Sequence, residues 1–188
     1  MGTRCMTLVK DEDGKGDVLC LYRQFDGYVE GHGKDLVSFL KGLTLVNGLG
    51  PERCRAGEGE SYEVANGMGC LAAQIVAYFK GNFYRKGKAT VVPVYGEELT
   101  WKKAREKVGI TPGSFYVCAR KGKAEGFVYT VYRTDLTPEQ KKRQDTDRRL
   151  FCWAGNICIK IQDGRKVFYD GPVSECDTGK VAAEVSEE

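Results

Sequence analysis

The stretch RCMTLVKDEDGKGDVLCLYR, residues 4–23, decides how this chain begins to fold. Residues 4–10 and 18–23 are largely apolar runs of the kind that form strands, and a polar turn containing Asp13-Gly14 separates them. This pattern predicts an antiparallel hairpin with a loop longer than two residues. Because a hairpin alone is only marginally stable, we expect the remaining elements to extend its sheet and cover it.

Two helices are predicted immediately after glycine-rich segments. The second of them runs from Asn66 to about Phe79 and is apolar nearly all round, which indicates burial on more than one side. The first follows Gly33 and has apolar residues at the i, i+3, i+4 and i+7 positions of one helix face: Leu36, Phe39, Leu40 and Leu43.

The second half of the chain is predicted to consist mainly of strands. Two further hairpins are expected, which pair 115–120 with 127–133 and 157–162 with 165–169, and a strand (89–95) and a short helix (101–108) precede them. The order of these elements predicts the α+β class, with a largely antiparallel sheet and the two main helices packed on one face.

The length of 188 residues suits one α+β domain, which we assign to residues 1–176. Residues 134–150 are predicted to be a charged insertion. In this segment Thr137 to Gln140 has the N-cap Thr, the Pro and the Gln that begin a helix, but no apolar face follows. This helix is therefore expected to be exposed or bound by a partner. The acidic segment 177–188 is predicted to be a disordered tail.

Composition limits the classes of function. No apolar run approaches about 18 residues, so no membrane partner is expected. Eight cysteines without an apolar secretory segment favour free thiols in a reducing, cytoplasmic location. With a single histidine and no Cys-x-x-Cys pair, we predict neither a metal nor a cofactor.

Basic residues cluster at two places although the net charge is only +3. The usual reason for such a cluster is a solvated face, and a phosphate-bearing partner, including nucleic acid, is the alternative. The clusters comprise Lys80, Arg85, Lys86 and Lys88, and Lys141, Lys142, Arg143, Arg148 and Arg149.

The strongest candidate site is the polar, glycine-rich stretch between the second strand and the first helix. Glycines let a ligand approach the backbone closely, and the N–H groups of a helix start favour an anion. The candidate residues are Arg4, Arg23, Gln24, Asp26, Tyr28, Gly31, His32 and Gly33, together with Asn66, Gly67 and Gly69 at the second helix start. If both starts converge, they form one pocket for a nucleotide-like anion. The alternative is that Asp26 pairs with Arg4 and the glycines only permit the turn.

Two other functions remain open. His32 with Asp26 could act as the general base of a phosphodiesterase-type hydrolase, although no P-loop or Rossmann fingerprint is present and a non-enzymatic binding protein is favoured. Alternatively, the charged segment 134–150 could bind a host protein.

The opening Met1-Gly2-Thr3-Arg4 and the later Gln24-x-Asp26-Gly27-Tyr28-x-x-Gly31-x-Gly33 resemble a group of small uncharacterised bacterial and phage proteins. Members of that group begin Met-Gly-Thr-Arg and have Pro where Val29 stands here. The resemblance implies a bacterial or viral cytosolic protein, but it transfers no catalytic residue. It also implies an anti-defence role, either as a sponge that sequesters a nucleotide signal or as an inhibitor of a host defence complex.

Overall fold

The computed structural model describes residues 3–47, 63–81, 115–117, 126–147 and 152–187. The predicted strand at 89–95, the predicted helix at 101–108 and most of the basic cluster around Arg85 lie outside these residues.

Eight strands of the described chain belong to one curled sheet. Their order is β4-β3-β7-β6-β1-β2-β5, and β8 also pairs with β7. The strands are β1 (Cys5–Lys10), β2 (Asp17–Arg23), β3 (Leu43–Val46), β4 (Glu63–Asn66), β5 (Phe115–Val117), β6 (Phe127–Thr134), β7 (Trp153–Asp163) and β8 (Lys166–Pro172).

The first and last predicted hairpins are confirmed, because β1 pairs antiparallel with β2, and β7 with β8. The prediction of the middle hairpin, which pairs 115–120 with 127–133, is wrong. In the described residues β5 pairs with β2, while β6 lies between β1 and β7.

The sheet is mixed, which corrects the prediction of a largely antiparallel one. Strand β1 runs parallel to β6, and β3 runs parallel to β4. The prediction paired each strand with its neighbour in sequence, whereas β1 pairs on its second edge with a strand more than 100 residues later.

Four α-helices of the described residues flank the sheet: α1 (Lys34–Lys41), α2 (Gly67–Gly81), α3 (Pro138–Thr146) and α4 (Thr178–Ser186). A π-helical turn (Val29–Gly33) leads directly into α1, and a short 3-10 helix (Val173–Glu175) follows β8. Helix α2 lies against strands β1 to β4, while α1 packs on the π-helical turn and the 3-10 helix. Leu43, expected to extend α1, instead begins β3.

The segment after Cys176 corrects the predicted disordered tail. Asp177 caps α4 by accepting hydrogen bonds from the Gly179 and Lys180 amides at 3.0 and 3.3 Å. Val181 and Ala182 are buried in the core. Val185 also packs against the core, so a short apolar face docks this otherwise polar helix.

Helix α3 is exposed, as the sequence predicts. None of its residues is buried, and Thr137 and Gln140 form the predicted capping box. None of the helices in the described ranges is both long and apolar enough to span a bilayer.

Candidate functional site

Of the predicted site residues, His32 and Arg23 come together: Arg23 contacts His32, which lies in the π-helical turn and is 1% exposed. We call the residues in contact with it the His32 cluster: Thr7, Arg23, Phe79 and Tyr129. The Phe79 ring lies 4.5 Å from the imidazole between centroids, and the Tyr129 ring meets it edge-on at 5.2 Å. The imidazole is thus enclosed by α2 on one side and by the sheet on the other.

Both ring nitrogens of His32 are engaged, and their partners identify the tautomer. Arg23 Nη1 lies 3.2 Å from Nδ1, and because a guanidinium only donates, Nδ1 accepts. Nε2 therefore carries the proton and donates to Thr7 Oγ1 at 2.6 Å. Burial, and secondly the charge of Arg23, lower the pKa of His32 to about 3. A neutral, enclosed imidazole of this kind is a structural group, which counts against the predicted general base.

The loop that precedes the π-helical turn is held by its backbone. The Gly27 amide donates to the Thr3 carbonyl at 2.8 Å, and the Tyr129 hydroxyl donates to the Gly27 carbonyl at 2.8 Å. Asp26 adopts a positive φ of 56°, and its carboxylate lies 3.7 Å from the Arg23 guanidinium. Gln24 accepts a hydrogen bond from Tyr22.

The glycine amides of this loop do not form an anion cradle. The amides of Gly31 and Gly33 donate to the Tyr28 carbonyl at 3.2 and 3.3 Å, and the His32 amide donates to the Asp26 carbonyl at 3.0 Å. These donors are already used, because the π-helical turn continues into α1 without an open helix start. A Cβ at Gly33 would crowd the Tyr129 ring, with 3.0 Å to its nearest ring atom.

The second glycine-rich start lies elsewhere, and the predicted convergence is wrong. The first amide of α2 beyond Gly67, that of Met68, donates to Glu12 Oε1 at 2.5 Å. Glu12 belongs to the β1–β2 turn, at the far end of the hairpin from Arg23. Phe79, which covers His32, is twelve residues along α2 from Gly67, a distance of about 18 Å at 1.5 Å per residue. Asn66, Gly67 and Gly69 therefore share no pocket with the His32 cluster.

A different feature has the shape of a ligand site. A cleft of about 350 Å³ opens between the α1–β3 corner, helix α3, the start of β7 and the 3-10 helix. This volume is at the lower end of the range of small-molecule sites. We call it the β3–β7 cleft. The residues that matter for its chemistry are Lys41, Thr44, Gln140, Arg143, Trp153 and Asn156.

The β3–β7 cleft is positively charged. Lys41 and Arg143 both line it, and no Asp or Glu occurs among the described residues of its lining. Lys41 Nζ donates to the Cys176 carbonyl at 2.9 Å, which fixes its position at the rim and leaves further N–H donors. Trp153 is half-buried and supplies an aromatic surface. The cleft therefore combines two cations with a large aromatic ring.

Helix α3 is attached to the cleft by polar contacts. Gln140 Nε2 donates to Asn156 Oδ1, and Asn156 Nδ2 donates to Gln140 Oε1, both at 2.8 Å. Gln144 Nε2 donates to the Trp153 carbonyl at 2.8 Å. These bonds position Arg143 over the cleft although the helix buries no side chain.

Sequence reasoning did not identify the β3–β7 cleft, because Lys41 is more than 100 residues from Arg143 and Trp153 in the chain. The one available signal was the basic cluster at Lys141 to Arg143, for which a phosphate-bearing partner was the alternative reading. A search of known protein families, curated proteins and solved structures finds no match for the chain. The resemblance of the opening residues to the bacterial and phage group thus stays a prediction.

Proposed function

We propose that this chain is a binding protein for a nucleotide-like anion, and that the ligand occupies the β3–β7 cleft. The observation that carries the proposal is that Lys41 and Arg143 both line a cleft whose described lining has no carboxylate. Arginine recognises phosphate through its planar fork, and lysine adds a compact charge. Trp153 offers a face against which a base can stack.

Binding without turnover is the favoured form of this function. The histidine that a hydrolase would need lies in the His32 cluster, where its nitrogens are bonded to Thr7 and Arg23. The anti-defence sponge suggested by the sequence resemblance would also need tight binding of an intact ligand.

The test is titration calorimetry of the full chain with nucleoside monophosphates, and chromatography of the recovered ligand. Arg143→Gln should weaken binding about tenfold, equivalent to the loss of about 1.4 kcal/mol. Lys142→Gln is the matched control, because Lys142 is exposed on the same helix but does not line the cleft. Absence of binding, or an equal loss in both variants, would refute the proposal. Cleaved ligand would instead support the hydrolase.

A protein partner is the second candidate, supported by the exposure of α3. A helix with no buried residue, held in place by side-chain hydrogen bonds, presents Lys141 and Lys142 to solvent. The charge-reversed double variant Lys141→Glu/Lys142→Glu should then lose a partner in pull-downs while nucleotide affinity is kept. A pull-down that is unchanged by the double substitution argues against this candidate.

A further inference from the structure

The side-chain amides of Gln140 and Asn156 are joined by two hydrogen bonds, and on one edge of this pair both amides also bond to the backbone. On that edge the Thr137 amide donates to Gln140 Oε1 at 2.8 Å, and Asn156 Nδ2 donates to the Asp135 carbonyl at 3.3 Å. These two bonds also identify the oxygen and nitrogen of each side-chain amide, because a backbone N–H needs an acceptor and a carbonyl needs a donor.

The opposite edge consists of Gln140 Nε2 and Asn156 Oδ1, which lie 2.8 Å apart. After their mutual bond, Gln140 Nε2 keeps one N–H and Asn156 Oδ1 keeps one lone pair. The described chain provides no other partner for these two atoms. Gln140 and Asn156 both line the β3–β7 cleft, whereas Asp135 and Thr137 do not, so the open edge is the one on the cleft side.

A donor beside an acceptor at this spacing matches the hydrogen-bonding edge of a nucleobase. A single Asn or Gln amide reads adenine bidentately, with its N–H on a ring nitrogen and its oxygen on the exocyclic amino group. Here the same donor and acceptor come from two side chains, the N–H from Gln140 and the oxygen from Asn156. Inorganic phosphate or a sugar phosphate has no planar edge of ring nitrogen and exocyclic amino group, although sugar hydroxyls can donate and accept. The amide pair therefore adds recognition of the base to the recognition of the charge.

We propose that the Gln140–Asn156 pair determines specificity in the β3–β7 cleft by reading the donor–acceptor edge of a nucleobase that lies against Trp153. This inference rests on the proposed function, because Lys41 and Arg143 must hold the phosphate. The ligand class is then a nucleoside monophosphate, in agreement with the size of the cleft.

The first test changes the ligand and leaves the protein intact. The wild-type chain is titrated with AMP, with purine riboside 5′-monophosphate, which lacks the 6-amino group, and with ribose 5-phosphate, which lacks the base. We expect affinity to fall about tenfold from AMP to the purine riboside and further to the sugar phosphate. Equal binding of AMP and the purine riboside would overturn the inference. If all three ligands bind equally and Arg143→Gln weakens their binding, the proposed anion site is supported but recognition of the base is refuted. If none of the three ligands binds, both the anion site and the recognition of the base are refuted.

The second test separates base reading from attachment of α3. Gln140→Met removes the donor of the open edge, whereas Thr137→Ala weakens the same helix cap and leaves the amide pair in place. Gln140→Met should abolish the preference for AMP over purine riboside 5′-monophosphate, because that ratio reports the amide edge alone and cancels any shift of Arg143 or stacking on Trp153. Thr137→Ala should keep the preference. A preference retained in Gln140→Met, or lost equally in both variants, would overturn the inference.

Discussion

His32 Nε2 lies 2.6 Å from Thr7 Oγ1, and both side chains are almost fully buried, at 1% and 0% exposure. This hydrogen bond joins strand β1 to the π-helical turn, 25 residues later in the chain. A buried polar pair of this kind is stable only while each group has its partner. The stretch that most resembles a ligand-binding loop in the sequence is therefore held in place by the core.

Thr7→Val should destabilise the fold. Valine has nearly the same shape as threonine, but it leaves the Nε2–H of His32 without an acceptor, at a cost of about 1–3 kcal/mol. Urea unfolding measures the change. Thr130→Val is the control, because Thr130 lies half-buried on β6 outside the His32 cluster. The two substitutions should differ clearly, and equal effects would mean that the hydrogen bond contributes nothing.

Stability should fall as pH is lowered from 7 to 5.5. The pKa of His32 is about 3 in the folded chain and about 6.5 when unfolded, so in this window only the unfolded state gains a proton. The free energy of unfolding should drop by about 1 kcal/mol. Because His32 is the single histidine, His32→Gln should remove most of this dependence. A wild-type chain with pH-independent stability here would contradict the assignment.

The two glycines at the start of α2 should respond in opposite directions. Gly67 has a φ of +73°, so Gly67→Ala should cost about 1–2 kcal/mol. At Gly69 a Cβ would meet no atom within 4 Å, and Gly69→Ala should stabilise the helix by about 0.5 kcal/mol or more. Thermal unfolding of the two variants measures both. Equal destabilisation by both substitutions would contradict this prediction, which rests on the positive φ of Gly67 and the open space beside Gly69.

Val181→Ser should destabilise the fold by about 1.5–3 kcal/mol, the value of one buried valine side chain. Val181 is 5% exposed on α4, in the segment that the sequence predicts to be a tail. Ala183→Ser, on the exposed face of the same helix, should change stability by less than about 0.5 kcal/mol. Similar stabilities for the two variants would mean that α4 does not dock.

Much of the local structure could be predicted. Short apolar runs identified β1 and β2, and the capping box identified the start of α3, because these signals act within a few residues. The short strand β3 was missed because LTLV continues the helical spacing of α1 through Leu43. Helix α4 was missed because its charge and terminal position are typical of a disordered tail, and its few apolar residues give only a weak helical signal.

The sequence by itself determined the glycine-rich loop, the apolar character of α2 and the polar character of α3. Only the tertiary structure decided what these features do. Parallel pairing of β1 with β6 placed Tyr129 against the Gly27 loop and enclosed His32, so a candidate catalytic residue became part of the core. Docking of α3 on β7 brought Arg143 and Trp153 to the same cleft as Lys41. The reason is physical: periodicity and caps are local, whereas burial depends on strand neighbours such as β1 and β6, which are more than 100 residues apart.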